Sequence, residues 1–358
     1  MTRRQARAVP ATIVGMDRTF SVSAIITVAA VLLALLFLGP AAAITTVVLI
    51  AIEVAFSFDN AIINAKVLER LSRRWQHLFL TVGMVVAILG MRLVFPILIV
   101  MVSAHLPWGQ VIDDALHNPR LYGEHLAHAH ASISAFGGSF LLLLTLYFLL
   151  DDGREILWIH RIERPLQKIG GTLWLPPLLV AVLVIILASF TGQKSSEVLH
   201  AGLIGTGSYF LLKLVIDGLA HLEPKQRALY TGWPAFLAFV YLQVLDASFS
   251  FDGVLGAFAI TDKVVLIALG LGVGALWVRS LTVFMVRKGT LGEYVFLEHG
   301  AHYAILVLAI ALLSSLFYEI PDAITGIVGL GVIAASYNAS REMREAHLKA
   351  KHTPTRID

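Results

Sequence analysis

The chain has 358 residues, 58% of them hydrophobic and 14% charged, with no cysteine and a formal net charge of +3. Soluble domains average about 45–50% apolar and roughly 25% charged, so this composition excludes an ordinary soluble fold. The lack of cysteine excludes disulfides, thiolate nucleophiles and thiolate metal ligands, and in so apolar a chain the slight excess of Lys and Arg marks membrane topology rather than a nucleic-acid surface.

An N-terminal arm over residues 1–20 carries Arg3, Arg4, Arg7 and Arg18. Ten apolar segments follow, at 21–39, 41–68, 78–103, 133–150, 174–190, 198–219, 232–260, 264–285, 301–318 and 322–336. Spanning a bilayer takes about 20 mostly apolar residues per helix. A lipid-facing backbone must satisfy its own hydrogen bonds, so all ten are expected to be helices; the alternation of a membrane β-barrel is absent. The last segment is short and rich in glycine. The first ends in GPAAA, which a cleaved signal peptide would also show, although Pro40 is poorly placed for cleavage. Residues 104–132 read as an extracytoplasmic His-rich loop, and 338–358 as a charged cytoplasmic tail.

The 27 Lys and Arg orient the segments. With a cytoplasmic N-terminus, only Arg120, Lys194 and Lys263 fall in outside loops, and Arg92, Lys213 and Arg279 lie within segments. Every other cation falls inside, which predicts ten spans with both termini cytoplasmic in a bacterial inner membrane.

Two stretches repeat. Residues 53–64 read EVAFSFDNAIIN and 246–257 read DASFSFDGVLGA, aligning Glu53 with Asp246 and Asp59 with Asp252. The following segments match as well: GMVVAILGMR at 83–92 pairs with GLGVGALWVR at 270–279, aligning Arg92 with Arg279. The offset is five segments, an odd number, so the copies would insert upside down relative to each other, as in many transporters. The expected fold is therefore an all-α polytopic bundle of about ten helices in two inverted five-helix repeats, 21–190 and 191–337.

Glu53, Asp59, Asp246 and Asp252 sit within apolar spans. A charged carboxylate at the bilayer centre costs about 2.5–3.5 kcal/mol, so four cost on the order of 10–14 kcal/mol. Such groups persist when they face a cavity, pair, or bind a cation. Arg92 and Arg279 can balance two of the four charges, leaving a surplus that suits one divalent cation. On the first repeat Glu53, Ser57, Asn60 and Asn64 share a helical face. Asp59 lies about 120° off it at 100° per residue. Either the polar arc is wide or the helix unwinds near Asp59, and Gly253 makes unwinding plausible in the second copy. Oxygen donors favour Mg²⁺, Ca²⁺ or Mn²⁺; histidine keeps Zn²⁺ in play. Glu298, His299 and His302 lie within about one turn and would either capture ions at the inner mouth or cap the helix locally. His105, His117, His125, His128 and His130, with Asp113, Asp114 and Glu124, read as a solvated loop or a surface metal site. Lys213 and Asp217, four apart, read as a surface ion pair.

At EVAFSFDN and DASFSFDG the sequence resembles the TerC family of integral membrane proteins, within the lysine-exporter superfamily, and above all a divergent branch of unknown function. The resemblance covers about residues 41–336. Gly253 stands where the family has a serine, and Gln243 where a glutamate is usual. It implies metal-ion handling, with members linked to manganese export and tellurite resistance. The expectation is a transporter exporting a divalent cation, Mn²⁺ first, held by Glu53, Asp59, Asn60, Asp246 and Asp252, with Arg92 and Arg279 balancing charge. The alternative is a membrane scaffold or metal-stress component with a structural ion. No zincin-like or nucleotide-binding motif is present, so neither an intramembrane metallohydrolase nor ATP coupling is expected. The expected partners are lipid and the metal ion, with no nucleic acid.

Overall fold

The computed structural model describes residues 14–94, 97–98, 100–101, 106–222, 229–261, 263–318 and 320–352. The side chains of Arg92 and Asp252 fall outside that description, as does His105 entirely. The described residues are helical almost throughout. The order is α1 (Val14–Leu38), α2 (Pro40–Phe56), α3 (Phe58–Glu69), α4 (Arg73–Val85) with a π-helical continuation Val86–Val94, α5 (Trp108–His117), α6 (Pro119–Leu150), α7 (His160–Ile169), α8 (Leu175–Phe190), α9 (Ser195–Leu222), α10 (Gly232–Ile260), α11 (Val264–Lys288), α12 (Thr290–Glu293), α13 (Leu297–Ser314) and α14 (Asp322–His352). Among the described residues the only β pairing is a parallel bridge between Leu71 and Tyr230.

Among the described residues, five stretches are long and apolar enough to cross a bilayer: Thr19–Leu38, Pro119–Leu150, Gly192–Val215, Val264–Lys288 and Leu297–Ser314. Pro40–Ala55 with Phe58–Glu69 makes a sixth if the bent pair is one span. Their outward faces carry exposed Leu, Ile, Val and Phe, such as Leu36, Phe37, Ile204 and Val265, which is the surface a lipid solvent selects.

Local chemistry sets the ends. Gly39 takes φ 90° and is followed by Pro40 at the first turn of α2, the start proline favours. α11 closes on Gly289 at φ 62°, with Arg287 and Lys288 in its last turn, where cations face the carbonyl end of the helix dipole.

Three expectations change. The stretch 104–132 is not an open loop: α5 occupies Trp108–His117, and α6 begins at Pro119, well before the apolar run. Its first turns are polar yet helical because helix formation follows backbone continuity, whereas hydropathy reports only immersion. The tail is no separate segment either, since α14 runs unbroken from Asp322 to His352. The unwinding lies in the first repeat, between α2 and α3, which meet at 51°; α10 passes through Gly253 as a continuous helix.

α6 is the central post, packed against α8, α9 and α13. Buried Phe140, Leu141 and Leu143 of α6 meet Ile62, Val184, Ile305 and Leu313. Small residues bring the backbones together. Ser139 Oγ donates to the Gly202 carbonyl across 2.8 Å, and a Cβ at Gly205 would fall 2.3 Å from the Phe136 carbonyl oxygen. α1 is tied to α11 by hydrogen bonds, Ser23 to Ser280 at 2.8 Å and Trp277 Nε1 to Thr27 at 2.8 Å. The repeated helices pack crosswise: α2 and α3 lie on α11, and α10 lies on α4 and its π-helical continuation.

Gly205→Leu is expected to lower stability by about 1–3 kcal/mol, the usual cost of overpacking. Gly207→Leu, two residues along the same helix with open space around it, should leave it unchanged. Thermal unfolding in detergent checks the pair, and equal behaviour of the two variants would refute the close α6–α9 contact.

Candidate functional site

The break between α2 and α3 organises the polar centre. Ser57 sits between the two helices at φ −100°, ψ 15°. Its N–H still donates to the Glu53 carbonyl at 3.0 Å, while Ala61 N–H donates to the Ser57 carbonyl at 3.1 Å. A backbone hydrogen bond thus closes on each side of the bend. Asp59 stands in the first turn of α3, where exposed N–H groups favour negative charge, and one of its oxygens accepts the Asn60 N–H at 2.8 Å.

Glu53 is 3% exposed and Asp59 6%. Ser57 Oγ donates to Glu53 Oε1 at 3.1 Å. Gly274 of α11 makes room for this glutamate, since a Cβ there would lie 2.5 Å from its Cβ and Cγ. Gly253 of α10 passes near Oε2 on another side, where a Cβ would come within 3.2 Å. Asn60 Nδ2 donates to Asp246 Oδ1 at 2.6 Å, joining the two repeats through their aligned motifs.

The predicted site residues divide between two small chambers that share Ser57. The first, about 50 Å³, is lined by Glu53, Ser57, Asp59 and Gly253, with Thr325, Gly326 and Gly329 of α14. The second, about 30 Å³, is lined by Ser57, Asn60, Asn64, Gln243, Asp246 and Arg279. Within the second, Asn60 Oδ1, Asn64 Oδ1 and Gln243 Oε1 are buried with no hydrogen-bond donor. The orientation of Asn60 is fixed by its bond to Asp246, because a carboxylate oxygen only accepts. An unpaired buried amide oxygen costs about 1–3 kcal/mol, and all three belong to residues that line this one chamber.

Arg279 faces Asp246 across this chamber. Its guanidinium donates to the Phe79 carbonyl and lies 4.8 Å above the Phe79 ring. Arg92 aligns with it in sequence and lies on the π-helical segment. Asp252 lies on α10. Neither side chain is among those described. Sequence reasoning placed Asn64 on the polar face and noted Gln243 only as a departure; the structure puts both in the second chamber. The glycine spacing at Gly270, Gly272 and Gly274 was the legible trace of a close helix approach at Glu53.

The residues Glu298, His299 and His302 diverge. Glu298 pairs with Lys66 at 2.7 Å. His302 Nδ1 donates to the Glu298 carbonyl at 2.7 Å, and its ring stacks on Phe148 at 3.6 Å. His299 Nε2 donates to the Ile156 carbonyl at 2.9 Å and lies 3.4 Å from Glu163. Glu298 and His302 line a larger cavity of about 270 Å³ with Lys66, Arg70 and the Lys213–Asp217 pair, which is bonded at 2.6 Å. In the His-rich stretch, Asp113 pairs with His117 and Glu124 with Arg120, each four apart on one helix. Among the described residues no three of His, Asp and Glu gather as a metal centre.

An unanticipated node is Glu163, 0% exposed. It accepts the Ile159 N–H at 3.1 Å and the Tyr303 hydroxyl at 3.2 Å, with Arg154 at 3.5 Å. Burial opposes its ionisation, but the hydrogen bonds from His299 and Ile159 and the charge of Arg154 outweigh burial and hold its carboxyl down at about 2.

Helical architecture, lipid-facing apolar surfaces and buried polar chambers define a multi-pass membrane protein. The chain belongs to the protein family of unknown function DUF475, which matches residues 58–347. It is similar to an uncharacterized membrane protein, YceF, of Bacillus subtilis (strain 168), at 29% identity over 142 residues, covering 38% of this chain and 53% of the relative. The match thus spans about half the length of that relative. No solved structure matches the chain.

A depressed carboxyl contributes stability that is complete above its unfolded value, near 4.5, and is lost as pH falls toward about 2. Wild-type protein should therefore lose melting temperature steeply between those limits. Glu163→Gln should melt lower at pH 7 and converge on wild type as pH falls. Parallel curves at every pH would contradict the ion-paired state of Glu163.

Proposed function

We propose that this chain is a membrane transporter that exports a divalent metal cation, with Mn²⁺ the favoured substrate. The observation that carries the reading is the second chamber, where three donor-less buried amide oxygens accompany the Asp246 carboxylate. Hard divalent cations take oxygen ligands of these kinds, carboxylate and amide carbonyl together. A neighbouring chamber with Glu53 and Asp59 supplies two further carboxylates one helix break away. Mn²⁺ and the outward direction rest on the resemblance to the TerC family; Ca²⁺, Mg²⁺ and Zn²⁺ are compatible with the same donors.

In this reading Asp59 receives the ion, Glu53 and Asp246 hold it, and Asp252 releases it. Arg279, and Arg92 by sequence equivalence, offset the carboxylates when the site is empty. The ten-span topology with cytoplasmic termini belongs to the same proposal, as do the inverted repeats. The crosswise packing supports the repeats, and so do the glycines. Gly270 lies against Leu49, and its aligned partner Gly83 lies against Gln243, next to Leu242, the residue aligned with Leu49.

A membrane scaffold or a component of tellurite or metal-stress resistance is the second reading. It is favoured by the hydrogen bonds that engage Glu53 and Asp246 within the protein. A scaffold would leave cellular metal content unchanged.

Asp59→Asn and Asp252→Asn should each reduce Mn²⁺ efflux from loaded vesicles at least tenfold at normal protein level, because the amide keeps size but removes charge. Full efflux by both variants would sink the assignment. Collapse of expression would instead favour structural ion pairing, since breaking a buried pair costs about 3–5 kcal/mol. For topology, a reporter fused after Asp358 should be active only in the cytoplasm; periplasmic activity would end the ten-span arrangement.

A further inference from the structure

α7 sits outside the spanning helices and is pinned by one face. Glu163 is enclosed by Ile159, Arg154, Tyr303 and His299. One turn on, Gln167 Nε2 donates to the carbonyls of Asp151 at 2.9 Å and Arg154 at 3.1 Å. At about 100° per residue, Glu163 and Gln167 define the docking face, and two other faces are left without protein cover.

One of these is apolar. Ile162, Leu166 and Ile169 fall within about 60° of each other on the helix, with Ile162 47% and Ile169 59% exposed. The other is basic: Arg161, Arg164 and Lys168 fall within a similar arc on the opposite flank and are all exposed. Among the described residues none of the three forms an ion pair. The apolar face continues past the end of the helix into Leu173 and Trp174, the latter 64% exposed, and then into the lipid-facing Leu178 and Leu179 of α8. An exposed tryptophan at the head of an apolar helix marks the membrane–water boundary. A helix with one apolar and one basic flank at that boundary lies in the interface plane.

We propose that α7 is an in-plane interfacial helix that binds anionic phospholipid headgroups through Arg161, Arg164 and Lys168. Ile162, Leu166 and Ile169 dip into the acyl boundary and bring the three cations level with lipid phosphates. Each cation near an anionic surface is attracted within a Debye length, so the binding weakens with salt. The inference rests on the membrane fold and not on the transported substrate.

The test uses the purified full-length protein in a neutral detergent. Thermal unfolding is followed with added phosphatidylglycerol, with phosphatidylcholine, and with inorganic phosphate alone. The expected result is a rise in melting temperature with phosphatidylglycerol only, reduced by half or more in 0.5 M salt. The combined variant Arg161→Gln, Arg164→Gln, Lys168→Gln should lose that rise while melting normally in detergent alone, because the three side chains make no ion pair among the described residues. Ile162→Ser with Ile169→Ser should weaken the lipid response while keeping the charges. A triple variant that keeps the full rise would overturn the proposal. So would an equal response to phosphatidylcholine or phosphate, or a triple variant that melts early without lipid.

Discussion

The burial of Glu53 and Asp59 is the constraint on which the rest of this molecule turns. Two carboxylates in a helical, lipid-covered bundle cost several kcal/mol if ionised and unserved, and the fold answers that cost locally. α2 stops at Phe56 and α3 restarts at Phe58, so Asp59 occupies a fresh helix N-terminus instead of the middle of a span. Glycines on α10 and α11 allow two further helices to approach Glu53. Asn60 reaches across to Asp246, so the polar centres of the two repeats form one connected network. α6, α13 and the small-residue contacts around them then supply the apolar frame that holds these pieces in register.

In the chamber around Asn60, Asn64 and Gln243, Asn60 Nδ2 is committed to Asp246, Arg279 donates to the Phe79 carbonyl, and three amide oxygens have no donor. Gln243 brings an amide oxygen to the site without a negative charge. Together with a half-buried Asp246, this makes a less charged chamber than the one holding Glu53 and Asp59. Ser57 lines both.

Much of the helical layout was legible in the sequence because hydropathy reports immersion directly. The apolar stretches at 21–39, 174–190, 264–285 and 301–318 recur as α1, α8, α11 and α13 within a few residues. What hydropathy cannot report is helix that continues outside lipid. The start of α6 at Pro119 was missed for that reason; the tail from Arg341 shows helical spacing in the sequence, but its unbroken join to the tenth segment in α14 does not show there. The repeat located the carboxylates, and periodicity already required a wide arc or a break near Asp59. Periodicity could not choose between the two because no helix-breaking residue stands at Ser57; the glycine that suggested unwinding in the second copy serves as clearance for Glu53. Periodicity set Asp59 off the face of Asn60; what it hid was that Glu53 shares a chamber with Asp59 rather than with Asn60 and Asn64.

The length of α6 has a consequence for how the bundle sits in its solvent. Its 32 residues extend about 48 Å at 1.5 Å per residue, against a hydrocarbon layer of about 30 Å. The apolar part from Ile133 to Leu150 alone covers about 27 Å, close to that thickness. The helix is therefore longer than the oil it crosses, and its early turns, through Tyr122 and Leu126, pack with Ile267 and Leu271 of α11. Because α6 is gripped by α8, α9 and α13, its waterline is theirs as well, and the immersion depth of the bundle is set by one rod that cannot slide without carrying its neighbours.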